Sequence, residues 1–160
     1  MVENRLRPID YEMNAAQFRA SSPFHLMKYI CLGYVDPAFF ASVPEKEFHG
    51  MMDDCFTYDD KLRANGHFAQ GIALQPPNTA MTLSFKDKRV VVTDGPFTET
   101  KEQLGGILIL EARDLNHAVE LISKHPGVTF GPWEIRPMAN LGEMMQQSEA
   151  RRGKAAAQQA

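Results

Sequence analysis

Apolar positions along this chain change period several times between residues 24 and 138, and each change marks an element. Residues 24–34 carry Leu26, Ile30 and Leu32 on one face and Met27, Tyr29 and Cys31 on the other, which predicts a strand covered on both sides. A helix is expected next. Ser42 with Glu45 makes a capping-box pair around Pro44, Asn65-Gly66 is a C-terminal stop, and Phe48, Met51, Met52, Cys55 and Leu62 fall on one stripe between them. Residues 67–74 predict a second strand, broken by Gln75-Pro76-Pro77-Asn78, and residues 79–85 and 88–93 flank Lys86-Asp87 as a two-stranded excursion. Residues 106–113 alternate again, Leu108 and Leu110 against Ile107 and Ile109. Asp114 then caps a second helix with Leu115, Ala118, Val119 and Ile122 at core spacing, ended by His125-Pro126-Gly127. Residues 133–137 supply the last strand.

The order β-α-β, hairpin insertion, β-α-β is the split βαβ arrangement of a ferredoxin-like α+β domain, expected over residues 24–138. Residues 1–23 read as a polar N-terminal extension, with Tyr11, Ala15 and Phe18 on one side of a short helix. Residues 139–160 open with Leu141, Met144 and Met145 and decay into an Ala/Gln tail expected to be partly disordered. Two helices cover one face of such a sheet, yet its central strands are apolar on both. A second copy of the chain is therefore expected on the other face, where burying ~800 Å² per partner suffices for a stable homodimer.

Composition narrows the function. A net charge of −3 with no stripe of Lys and Arg argues against nucleic acid or an anionic membrane as the main partner. Lys86, Lys88 and Arg89 sit around the hairpin turn, where they read as solvated. Cys31 and Cys55 fall on a strand and a helix rather than in a disulfide framework, which favours a reducing compartment. With no apolar signal region and no run long enough to span a bilayer, the expectation is a cytoplasmic, soluble protein. No phosphate loop, nucleotide glycine fingerprint, zinc spacing or nucleophile elbow is present, so no cofactor or metal is expected.

Candidate chemistry gathers at a few positions. Val90, Val91 and Val92 form a β-branched run that Gly95-Pro96 cannot continue, which holds Asp94 at a corner. Thr98 is expected to cap a short helical turn reaching Leu104 and stopped by Gly105-Gly106, with Glu99 and Lys101 near its start and able to face a ligand. Asp59 lies within the apolar stripe of the first helix, where a carboxylate must be paired, hydrogen-bonded or protonated. Arg136, opposite in facing to Trp133 and Ile135 on the last strand, is its expected partner or an anchor for an anionic ligand. His67 starts the second strand and suits a general base oriented by Asp59 or Asp94. Cys55 on the stripe reads as a small hydrophobe lining the same space. His49 with Asp53 reads as solvated helix face, and His117 and His125 suggest no catalysis.

The run Asp94-Gly95-Pro96-Phe97-Thr98-Glu99-Thr100-Lys101-Glu102-Gln103-Leu104-Gly105-Gly106, with Gln75-Pro76-Pro77 before it and Glu134-Ile135-Arg136-Pro137 after it, resembles the DGPF branch of the YCII-related proteins. That resemblance spans residues 27–138 and implies a ferredoxin-like subunit pairing into a dimeric α+β barrel. It implies less about activity, since most of the family has no assigned reaction. Some YCII-related enzymes use a histidine and an aspartate to eliminate chloride from a hydroxylated aromatic ring, but the helix histidine of short relatives falls near Cys55 here. Two functions are thus expected. In one, a lyase-like small-molecule enzyme uses Asp94 and His67 to move protons, Asp59 to tune them and Arg136 to hold an anionic substrate. In the other, which the resemblance suggests, the chain is a noncatalytic binding or regulatory module associated with an extracytoplasmic-function sigma factor.

Overall fold

A computed structural model describes residues 26–157. Strand β1 (Met27–Val35) leads through a short helix α1 (Pro37–Ser42) into the long helix α2 (Glu45–Ala64) and strand β2 (Phe68–Ala73). A hairpin of β3 (Met81–Lys86) and β4 (Arg89–Asp94) precedes β5 (Gln103–Ala112), helix α3 (Leu115–Ser123), β6 (Trp133–Pro137) and helix α4 (Leu141–Ala157). The main sheet is antiparallel in the order β2-β5-β1-β6, and β3-β4 form a separate two-stranded sheet. This is the α+β, ferredoxin-like arrangement with a hairpin insertion that the pattern of strands and helices predicts.

Alternation sets which side chains meet. Tyr29 and Cys31 of β1 and Leu108, Leu110 and Ala112 of β5 point to the helix side, where Leu62 of α2 and Ala118 and Ile122 of α3 close the core. Each fully buried Leu or Ile contributes roughly 1.5–3 kcal/mol. The Tyr58 hydroxyl donates to the Leu121 carbonyl at 2.8 Å and ties α2 to α3. On the opposite face Ile30, Leu32, Ile107 and Ile109 pair across β1 and β5 and stay half-buried.

Several local expectations hold. Asp114 caps α3 by accepting from the His117 N–H, and α2 ends at Asn65 with Gly66 at a φ of 74°, the left-handed conformation glycine adopts without strain. Gly95, at a φ of 89°, turns the chain directly after Asp94.

Others need correction. The Ser42–Glu45 capping box does not form. Asp36 caps an unanticipated α1 by accepting from the Ala38 N–H, Ser42 donates to the Phe39 carbonyl at that helix's end, and Pro44 precedes α2 with no side-chain cap. Glu45 and Glu47 instead complement the α2 dipole. Residues 98–104 form no helical turn. The chain is irregular through Glu102, and Gln103 through Gly106 already belong to β5, because pairing with β1 outcompetes a short turn with little to pack against. The hairpin turn lies at Asp87-Lys88, both at positive φ, one residue beyond Lys86-Asp87. Residues Leu141–Ala157, within the segment expected to decay into a tail, are helical, as a run rich in Ala, Met, Gln, Glu and Arg favours. The short helix expected around Tyr11, Ala15 and Phe18 lies outside the described residues.

Candidate functional site: a pocket between α2 and a glycine-floored sheet

The helix-facing side of the main sheet changes thickness along its strands. One cross-strand row sets Phe68, Leu110 and Tyr29 side by side, while another sets Ala73, Gly106 and Gly33 next to Trp133. Over three adjacent strands the second row carries nothing larger than a methyl group. Helix α2 rests on the thick end through Leu62, so a hollow of about 820 Å³ remains between its other turns and the thin end. The Trp133 ring leans over Gly33, where an added Cβ would sit 3.0 Å from the indole. Glycine within a strand is otherwise unfavourable, and here it provides close approach.

The walls are largely apolar. Phe48, Met52 and Cys55 enter from α2, and Phe40 and Phe130 close one end, each edge-on to its neighbour with ring centroids 5.8 Å apart (Phe40 to Phe48 and Phe40 to Phe130). Leu74, Gln75, Pro76 and Pro77 form part of the rim, from which the β3-β4 hairpin departs.

Into this setting α2 delivers one carboxylate, Asp59, whose side chain is 18 % exposed. Its Oδ1 lies 3.3 Å from Nε2 of His125, a residue 66 positions away in sequence and only 6 % exposed. The Gly127 N–H donates to Nδ1 of the same ring at 2.9 Å. A nitrogen that accepts carries no hydrogen, so the hydrogen sits on Nε2 and is donated to Asp59. Tyr58 packs edge-on against the imidazole at 5.5 Å and Trp133 lies tilted against it at 5.3 Å, which holds the ring plane. The Trp133 Nε1–H donates to the Gly127 carbonyl at 3.1 Å, so both polar groups of Gly127 are engaged by the site. Burial, followed by the charge of Asp59 one turn away, pushes the Cys55 thiol up to about 11, with a Gly127 backbone hydrogen bond acting in the opposite sense.

A family comparison matches residues 27–141 to the YCII-related domain. The chain belongs to the YCII-related family. An uncharacterized protein of Rhizobium meliloti (strain 1021) is 31 % identical over 115 residues, covering 71 % of this chain and 93 % of that protein. The matched segment of this YCII-related chain includes the whole main sheet and both helices that cover it.

The candidate residues of this YCII-related domain lie in different places. Asp59 and Cys55 line the pocket; Asp94, His67, Arg136, Glu99 and Lys101 are outside its lining. Asp94 ends β4 opposite Met81 and is exposed. His67, just before β2, places its Nδ1 2.8 Å from the Glu111 carbonyl and stacks edge-on with His117 at 4.9 Å. The expected Asp59–Arg136 pair is not made. Arg136 lies on the face away from the helices and bonds Glu134, because strand alternation sends Trp133 and Ile135 toward α2 and α3 and these two away. Lys101, itself exposed, approaches the half-buried Asp36 carboxylate at 3.8 Å, and Glu99 is exposed. His125, read as unconnected with chemistry, is the actual partner of Asp59. Its one signal in the sequence was the Pro126-Gly127 that follows, a tight turn able to direct an N–H back at the preceding side chain. Arg63, one turn beyond Asp59, was also overlooked. It lines the pocket with its guanidinium 4.3 Å from the Phe68 ring centroid.

Proposed function

We propose that this YCII-related domain binds a small, largely apolar molecule in the pocket beneath α2 and moves a proton on it, in a lyase-like or related acid–base reaction. Asp59 acts as the proton-transfer group and His125 is its positioning residue. The observation carrying this reading is a carboxylate on a largely apolar cavity wall, held by an imidazole whose other nitrogen is committed to a backbone N–H. An aspartate so placed meets a substrate with little bulk water around it, where its interaction with a proton donor is strengthened. Asp94, His67 and Arg136 enter this reading as groups outside the cavity lining, and their part in catalysis requires a second subunit or a loop movement to bring them in.

Deuterium incorporation tests it. A panel of hydroxyarenes and β-keto acids incubated with the protein in D2O, read by NMR, is expected to show enzyme-dependent exchange at carbon that Asp59→Asn abolishes. Exchange that survives in Asp59→Asn, or none across the panel, removes the acid–base role.

A second reading, a noncatalytic binding module that engages a sigma factor, is favoured by a different feature. Met81, Leu83, Phe85, Val90 and Val92 share one face of the β3-β4 hairpin and all are exposed. Apolar surface of this kind marks interaction sites. The homodimer, in turn, is supported by the apolar rows Ile30, Leu32, Ile107 and Ile109 on the sheet face away from α2 and α3. Light scattering of the purified chain tests that assembly, and a monomer at micromolar concentration overturns it.

A further inference from the structure

The pocket is chemically lopsided, and that asymmetry identifies the class of ligand. At one end Phe40, Phe48 and Phe130 offer only hydrocarbon. Toward the other end, successive turns of α2 present Asp59 and then Arg63 on the same side of the helix. The floor includes the row Ala73, Gly106 and Gly33, next to the flat ring of Trp133. A row with no side chain larger than a methyl group suits a flat body lying against backbone.

Building on the small-molecule reading above, we infer that the ligand is an arene carboxylate that also bears a hydroxyl or amine hydrogen: the ring on the glycine floor, the donor on Asp59, the carboxylate on Arg63. The reverse placement is excluded by charge, since a carboxylate beside Asp59 would set two anions together in an apolar cavity. Arg63 is suited to the task. Its guanidinium plane is held over Phe68 and bonded to Asp60, a pair in which the two side chains are 54 % and 76 % exposed. An exposed pair of this kind contributes little, whereas a bidentate carboxylate–guanidinium contact at the edge of a cavity is stronger, so a ligand carboxylate can displace or share Asp60.

Trp133 is the sole tryptophan, and its indole N–H is bonded inside the site, so one indole cross-peak in a nitrogen–proton correlation spectrum reports occupancy. The probes are 4-hydroxybenzoate, its methyl ester, benzoate and hexanoate, titrated against the full chain. We expect 4-hydroxybenzoate to shift the indole peak and to bind about tenfold or more tightly than the ester, the factor that one charge-assisted contact supplies. Arg63→Gln should erase the difference between acid and ester, and Asp59→Leu, which leaves no acceptor at that position, should erase the difference between 4-hydroxybenzoate and benzoate. Equal binding of acid and ester, an Arg63→Gln protein that still distinguishes them, or hexanoate binding as well as 4-hydroxybenzoate overturns this ligand class while leaving a small-molecule pocket in place. An indole peak that no probe moves at millimolar concentration overturns both. Unchanged dispersion of the remaining amide peaks in each variant establishes that it is folded.

Discussion

Replacing His125 by phenylalanine isolates what the buried imidazole does. The aromatic ring is kept, so the contacts with Tyr58 at 5.5 Å and Trp133 at 5.3 Å survive in large part, while both hydrogen bonds disappear. The larger loss is at Gly127. Its N–H, bonded at 2.9 Å to Nδ1 in a buried residue, would face a carbon, and an unsatisfied buried donor costs about 1–3 kcal/mol. The contact with Asp59, 3.3 Å long and on the cavity wall where water can replace it, adds no more than about 0.5–1.5 kcal/mol. The expected loss is therefore about 1.5–4.5 kcal/mol, a large share of the 5–15 kcal/mol typical of a domain. Urea unfolding followed through Trp133 fluorescence and far-ultraviolet circular dichroism measures it, with an unchanged slope against urea marking a pure change in stability. His125→Asn, whose side-chain oxygen can take the Gly127 hydrogen, serves as the control that keeps an acceptor while losing ring volume. A His125→Phe protein within about 0.5 kcal/mol of the parent, a change of ordinary surface size, would refute the argument that the imidazole holds Gly127 and Asp59 together.

Further outcomes follow from three individual side chains. Cys55, with its thiol moved from 9.0 to about 11, should be alkylated by iodoacetamide about a hundredfold more slowly at neutral pH than an unshifted thiol, and Asp59→Asn should speed the reaction by removing the nearby charge; mass spectrometry of the labelled site reads both. The same shift has a sign for stability: the folded chain holds this proton more tightly, so the contribution is complete below pH 9.0 and lost as pH rises toward about 11, which urea titrations across that window detect. Leu110→Ala, at a fully buried position between α2, α3 and β1, should cost about 2–5 kcal/mol in the same assay. Phe85→Lys, at a side chain 72 % exposed on the hairpin, should change monomer stability by less than about 0.5 kcal/mol, yet in a pull-down it should release any protein bound to that face.

Most of the architecture was legible along the chain because its causes are local. Apolar alternation over Tyr29, Cys31, Leu108 and Leu110 and the helical spacing of Cys55, Leu62, Ala118 and Ile122 specify buried faces within a few residues of one another, and Asp114 and Gly66 act on their own helix ends. The placement of Asp59 in an apolar stripe was equally visible, as was the need for a partner.

Which partner it takes was not. Arg136 and His125 are both distant in sequence, and only the side to which β6 alternates, together with the turn after α3, removes one and presents the other. Gly105-Gly106 illustrates the same limit. As a local signal it reads as a helix stop, and it becomes the floor of a pocket only when pairing aligns Gly106 with Gly33 on one neighbour and Ala73 on the other. Periodicity specifies what a residue turns its back on, whereas register between strands far apart in sequence decides what it faces, and the chemistry of this site is built from the second kind of information.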